Sequence, residues 1–182
     1  MTYPVEIRTQ RLMIREFSAN DTEDLFLVTS DLEVVRYLEF GPTSMPEAQG
    51  LVDFAMRSAK YVQRLSYVLG IVDESTGSLV GSCGLQASDD DPAAAELYVV
   101  FRRDQWGKGL AGEIVPALID LAWGSTGFAR VTAMIHPDNG ASIRVMELAG
   151  MVSDGIIDDA FPDPTDPEGR WREGLRYAIL RP

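Results

Sequence analysis

Between a strand-like run that ends near Phe101 and a helix-like run that follows it lies Gln105-Trp106-Gly107-Lys108-Gly109-Leu110-Ala111-Gly112. Glycines at such a junction let the backbone close on a ligand without a Cβ in the way. The first N–H groups of the helix, aided by its dipole, then form an anion site. A phosphate-bearing ligand is the chemistry this turn suits; a tight strand–helix turn that holds nothing is the alternative. Gly107, Gly109 and Gly112 meet the G-x-G-x-x-G spacing of dinucleotide-binding turns, with Asp138 beyond the next strand where a ribose-binding acid could sit. A Rossmann unit, however, opens its domain and is followed by further parallel βα units, a pattern not found around this turn. The Walker A pattern fails, because Lys108 is followed by glycine instead of Ser or Thr.

Other reactive side chains are few. His136 is the only histidine and reads as a strand-end residue. Cys83, the only cysteine, sits among strand residues and reads as buried packing. No Cys/His ligand spacing and no Gly-x-Ser-x-Gly elbow is present, so the sequence offers no metal site and no serine-hydrolase nucleophile. Trp106, Trp123 and Trp171 could line a substrate site or pack at its rim. Acids cluster at Asp89-Asp90-Asp91 and again at Asp154, Asp158, Asp159, Asp163, Asp166 and Glu168.

The elements that must position the turn follow from periodicity. Residues 11–17 alternate as a strand, Asn20-Asp21 offers an N-cap for a short helix through residue 29, and a second short helix covers 31–37. A longer helix is expected over 46–65, with Leu51, Phe54, Ala55, Ala59 and Val62 on one face. The period then changes. Strands at 66–73, 78–86 and 94–101 have connections too short for parallel crossovers and form an antiparallel meander, its first turn at Glu74-Ser75-Thr76-Gly77. A helix over 108–123 directs Leu110, Ile114, Leu118, Leu121 and Ala122 to the sheet, and Pro116 should bend or weaken it. A strand at 129–136, a helix at 139–149 with Gly150 as its C-cap, and strands at 151–157 and 172–180 complete a mixed α/β sheet with one strand–helix–strand crossover. A Pro/Asp-rich loop is expected at 158–170.

At 182 residues the chain suits one domain, 1–182, with no repeat or internal linker. Hydrophobic residues at 46% and charged residues at 24% exclude a disordered chain. No apolar run reaches the roughly 18 residues that cross a bilayer. The start, Met1-Thr2-Tyr3-Pro4-Val5-Glu6, has neither the basic nor the apolar region of a secretory signal, and one cysteine suits a reducing compartment. Cytoplasm is the expected location. Twenty-eight acids against 16 bases give a net charge of −12, a field that repels nucleic acid and anionic lipid; it either attracts a cationic partner or serves solubility alone.

The glycine-rich turn resembles the pyrophosphate loop of GNAT acetyltransferases, Q/R-x-x-G-x-G/A, in the Trp-Gly-Lys-Gly-aromatic/apolar-Ala form that typifies the RimJ/RimL-like branch. Residues 136–151, His-Pro-Asp-Asn-Gly-Ala-Ser-Ile-Arg-Val-Met-Glu-Leu-Ala-Gly-Met, resemble that branch's N-x-A-S-x-x-V-x-x-x-x-G-F/M segment. Glu96-Leu97-Tyr98 stands where the branch carries Glu-Ile-Gly, ten residues before Trp106. The likeness extends over about residues 7–180.

The resemblance implies an α/β GNAT fold, with a mostly antiparallel sheet splayed between two parallel strands and flanked by helices. It implies an N-acetyltransferase in which a primary amine attacks the thioester of acetyl-CoA directly, through a tetrahedral intermediate, without a metal. Val99, Val100 and Phe101 would pair with the pantetheine arm. Trp106, Gly107, Lys108, Gly109, Leu110, Ala111 and Gly112 would hold the pyrophosphate, and Asn139 and Ser142 would also contact the cofactor. Glu96 is the implied proton acceptor and Ser142 the implied donor to the thiolate. Met146 replaces the tyrosine that many members use for that second role, and Tyr98 replaces a glycine, which alters the cleft. The acceptor it implies is a protein N-terminus or a small cationic amine, and a homodimer is compatible with the family; the net charge leaves no nucleic-acid or membrane partner expected. A non-catalytic acyl-CoA-binding module and a dinucleotide-binding domain are the competing readings.

Overall fold

The structure, a computed structural model, describes residues 3–162 and 171–182. The elements run β1 (Glu6–Arg8), β2 (Leu12–Glu16), α1 (Thr22–Thr29), α2 (Leu32–Val35), α3 (Met45–Ser58), β3 (Ser66–Asp73), β4 (Leu79–Ala87) and β5 (Ala94–Phe101). They continue with α4 (Ala111–Leu121), β6 (Arg130–Ile135), α5 (Gly140–Leu148), β7 (Val152–Pro162) and β8 (Trp171–Leu180). One sheet holds all eight strands in the order β1-β2-β3-β4-β5-β6-β8-β7. Every pairing is antiparallel except β5–β6, which α4 connects.

Local chemistry explains the meander. Gly77 adopts φ +74°, a conformation glycine takes without Cβ strain, and its N–H closes the β3–β4 turn on the carbonyl of Asp73 (2.8 Å). At the β4–β5 turn, Ser88 Oγ accepts from the N–H groups of Asp90 and Asp91, and Asp91 Oδ1 accepts from that of Ala93. The Asp91 carboxylate thereby serves turn geometry.

Two apolar layers cover the sheet. On one face Leu12, Ile14, Leu69, Ile71, Cys83, Leu85, Leu97, Val131, Ala133 and Ile135 pack with Leu110, Ile114, Val115, Leu118, Leu121 and Ala122 of the α4 region. The residues expected to turn that helix to the sheet are all buried. Phe17 and Leu79 pack with Leu25 of α1 and with Val52 and Ala55 of α3 on the other face. No described helix is long and apolar enough to cross a membrane.

Several expectations change. α3 stops at Ser58, seven residues early, and buries Ala48, Val52, Ala55 and Ser58; Leu51, Phe54 and Val62 are exposed. The chain leaves the helix because Arg64 is drawn into a buried bidentate pair with Glu16 (2.7 and 3.0 Å), donates Nε–H to the carbonyl of Ser66 (3.0 Å), and lies 4.3 Å from the Tyr67 ring centre. Desolvating that guanidinium is tolerable only with all these partners in place, which fixes the path of residues 59–67. α2 is one turn, capped by Asp31 on the N–H of Glu33 (2.8 Å). α4 begins three residues late because 107–110 form the turn itself, and it continues through the exposed Pro116. Beyond it, Ala122–Thr126 form a wide π-type turn. β1 had no sequence signal, being only three residues long. β7 extends to Pro162, into the expected loop, whose remaining residues lie outside the described ones along with Asp163, Asp166 and Glu168. With one parallel pairing in eight strands, the dinucleotide-binding reading lacks its fold.

Candidate active site

β5 and β6 share only three rungs, Ala94–Arg130, Ala95–Val131 and Glu96–Thr132. Past Glu96, β5 stays with β4 as far as Phe101, while β6 stays with β8 as far as Ile135. The two parallel strands therefore diverge and leave a gap in the middle of the sheet. Arg102 donates its N–H to Val80 of the β4 side, and Ser88 donates to Ala94. Alternation along the strand then directs the amides of even-numbered residues to β4; the Leu97 N–H completes the last rung with Thr132, and those of Val99 and Phe101 face the gap. Val100 thus spends its backbone on β4. The carbonyl of Phe101 accepts the indole N–H of Trp106 (3.0 Å), so its N–H is the group it presents to the gap.

The glycine-rich turn closes the wide end of the gap. Gly107 and Gly109 both take φ +73°, and a Cβ on Gly107 would meet nothing within 4 Å. The N–H of Gly112 is taken by Gly109, and those of Glu113 and Ile114 by Leu110. The N–H groups of residues 107–111 have no partner among the described residues, at the positive end of the α4 dipole. The Lys108 ammonium bonds Gln105 Oε1 (2.9 Å). Five unsatisfied N–H groups on a strand–helix turn fit a pyrophosphate, and the unpaired edge of β5 fits an extended amide-bearing arm.

Glu96, Tyr98, Thr132, Met134 and His136 share the sheet face opposite α4. Burial pushes the Glu96 carboxyl above the usual carboxylate range; the nearby Glu39 charge adds to the rise and Arg176 opposes it. Tyr98 lies across β4: its ring would sit 2.6 Å from a Cβ on Gly84, and its hydroxyl is 3.2 Å from Ser82 Oγ. Burial raises this phenol well above its ordinary value. The hydroxyl thus faces β4, away from the gap. His136 is buried between the rings of Tyr37 (5.0 Å) and Phe161 (5.5 Å), its Nδ1 accepting the N–H of Asp138 (3.2 Å) and its Nε2 lying 3.4 Å from Arg172 Nη1. It stands directly after the last residue of β6, the strand-end place expected of it.

Across the gap, Asn139 caps α5 by accepting the N–H of Ser142 on Oδ1 (3.2 Å). Ser142 is half-buried in the first turn, and Met146 is buried in the core beneath it. α5 packs beside α4, so Ser142 approaches from one sheet face and Glu96 from the other. Cys83 is fully buried and its thiol is raised by that burial, which excludes it as a nucleophile. Among the described residues no cluster could hold a metal ion. Asp154, one of the acids of the second cluster, pairs with both Arg130 and Arg176 (2.7 Å to the latter). Its charge is compensated locally. Glu39, Tyr37 and Arg176 had no sequence signal as site neighbours, because only the tertiary fold brings them to Glu96 and His136.

A family model described as an acetyltransferase (GNAT) domain matches residues 11–152. The uncharacterized N-acetyltransferase p20 of Bacillus licheniformis is 28% identical over 152 residues, covering 83% of this chain and 84% of that protein. A GNAT-family acetyltransferase from Bacillus anthracis superposes with a TM-score of 0.81 at 26% identity, over 97% of this chain and 98% of that one. RimL, a ribosomal-protein alpha-N-acetyltransferase solved with coenzyme A, shares the fold with a TM-score of 0.81 at 17% identity, over 97% and 98% of the two chains.

Proposed function

This chain belongs to the GNAT acetyltransferase family, whose co-substrate is acetyl-CoA, and we propose that it acetylates a primary amine that reaches the parted strands from the Glu96 face. Acetyl-CoA supplies the thioester. The N–H groups of 107–111 hold the pyrophosphate, and Trp106, Gly107, Lys108, Gly109, Leu110 and Ala111 form its seat. Gly112 contributes by lacking a side chain, since its N–H is used within the turn. Val99 and Phe101 present strand edges to the pantetheine arm, with Val100 as their β4-paired neighbour, and Asn139 fixes the α5 end beside it.

In this reading the amine loses its proton to Glu96, directly or through water. A carboxylate whose proton affinity is raised by burial accepts that proton better than an exposed one. Ser142 donates to the departing thiolate, the role left open by Met146. The acceptor carries an ammonium group before it reacts, as a protein N-terminus or a small cationic amine does. The acids at 39 and 96 suit that charge. Divergence of β5 from β6 directly after Glu96 is the observation that carries the proposal, because it puts the candidate base at the apex of the gap. Titration with acetyl-CoA tests the seat: Gly109→Val should weaken binding in a folded protein, and unchanged affinity would refute it.

A further inference from the structure

We propose that Arg11, in the turn between β1 and β2, is the residue that sets the pyrophosphate turn in its binding conformation; the inference rests on the seat described above. Arg11 is 97 residues from Lys108 in sequence, yet its Nη1 donates to the carbonyl of Lys108 at 3.0 Å. That carbonyl lies between two glycines that both take φ +73°. A trans peptide points its C=O and the following N–H in opposite directions. Holding the Lys108 carbonyl toward Arg11 therefore turns the N–H of Gly109 outward, to the side where a phosphate is received. The other guanidinium nitrogen, Nη2, sits 4.0 Å from where a Gly109 Cβ would be, so the guanidinium lies directly against this peptide.

The clamp is itself anchored. Glu113, in the first turn of α4, accepts from Arg11 Nε (2.5 Å), from the Arg11 N–H (3.1 Å) and from Thr9 Oγ1 (2.7 Å). Burial pushes the Glu113 carboxyl up, but these hydrogen bonds more than offset it and hold the carboxyl below its ordinary range. Arg11 thus ties the first turn of α4 to the loop that precedes it. It also compensates a carboxylate that would otherwise oppose an anion at the helix N-terminus. The fork geometry is essential: one guanidinium bonds two acceptors in different directions, which an ammonium on a shorter stem does not reproduce. Without the clamp the glycines on either side of Lys108 leave the turn free to rotate its peptides, and the N–H groups converge only part of the time.

The test compares Arg11→Met and Arg11→Lys with wild type, reading KM for acetyl-CoA, kcat at saturating acetyl-CoA, and thermal stability. Both variants should raise KM by about tenfold or more, as for loss of a charge-assisted hydrogen bond, and leave kcat within about twofold. If Arg11→Lys keeps the wild-type KM, charge alone suffices and the clamp is wrong. A parallel fall of kcat with the rise in KM would assign Arg11 a general structural role and also overturn it. Arg11→Lys keeps the positive charge next to Glu113, so it folds if Arg11→Met does not. Gly109→Val, run alongside, separates the pyrophosphate seat from the Arg11 clamp. Weakened binding there with unaltered Arg11 variants removes only the clamp. Unaltered binding in Gly109→Val removes the seat and the clamp together.

Discussion

Glu96 and Thr132 form the last rung that β5 and β6 share before the strands part. Their side chains point to the face opposite α4, and the backbone beyond them is free to pair with an extended ligand. One residue pair thus marks both the end of the sheet's continuity and the place where a carboxylate meets the gap. The remaining groups of the site are arranged around that rung, with the 107–111 N–H groups at the wide end and Ser142 on the opposite face.

Replacing the carboxylate is the simplest probe of chemistry. Glu96→Gln should lower kcat by about 10²–10⁴-fold, the usual range for one general base, with acetyl-CoA affinity little changed. Steady-state kinetics and a binding titration on the same preparation check both halves. Near-normal turnover at every pH would show that another group takes the proton.

The same substitution should stabilise the fold at neutral pH. Burial raises the Glu96 carboxyl in the folded state above its unfolded value, so the folded protein holds the extra proton and wild-type stability falls as pH rises through that window. Glutamine carries no such cost. The Tm difference between Glu96→Gln and wild type should grow from acid toward neutral pH and then level off. A difference that shrinks with rising pH would mean that the charged carboxylate is favoured in the fold.

Glu39 offers a way to move the base without touching it. Its charge raises the Glu96 carboxyl, so Glu39→Gln should shift the acid limb of the kcat/KM profile to lower pH. No movement of that limb would dissociate it from Glu96. A shift to higher pH would contradict the sign of the interaction.

Ser142 and Asn139 are separable by stability. Asn139→Ala removes the side-chain cap on α5 and should cost about 1 kcal/mol in stability. Ser142→Ala leaves the capped N–H in place and should lower kcat with little change in Tm. Equal Tm losses from both would make Ser142 a helix-terminus residue only.

Much of this arrangement was legible in the sequence. The meander at 66–101, the α4 crossover and the Gly150 end of α5 all follow from local patterns, because alternation and turn or cap glycines are local signals. The end of α3 did not, since the Arg64–Glu16 pair that redirects the chain spans 48 positions. For the same reason no motif identified Glu39 as a neighbour of Glu96, or Arg11 as a contact of Lys108. The acidic residues were legible as clusters but not as to purpose: Asp154 is compensated by two arginines and Asp91 caps its own turn.

In the proposed function, acetyl-CoA held at the parted strands gives its acetyl group to an amine. Mixing the protein with acetyl-CoA and, in turn, primary amines of several classes, including a model N-terminal peptide and a polyamine, tests it directly. Free thiol and acetylated amine are measured together. The account predicts thiol release that depends on a primary amine, with an equal yield of N-acetylated product, and its near loss in Glu96→Gln. Tight acetyl-CoA binding with no amine-dependent thiol release across the panel would contradict it and leave a binding module in its place.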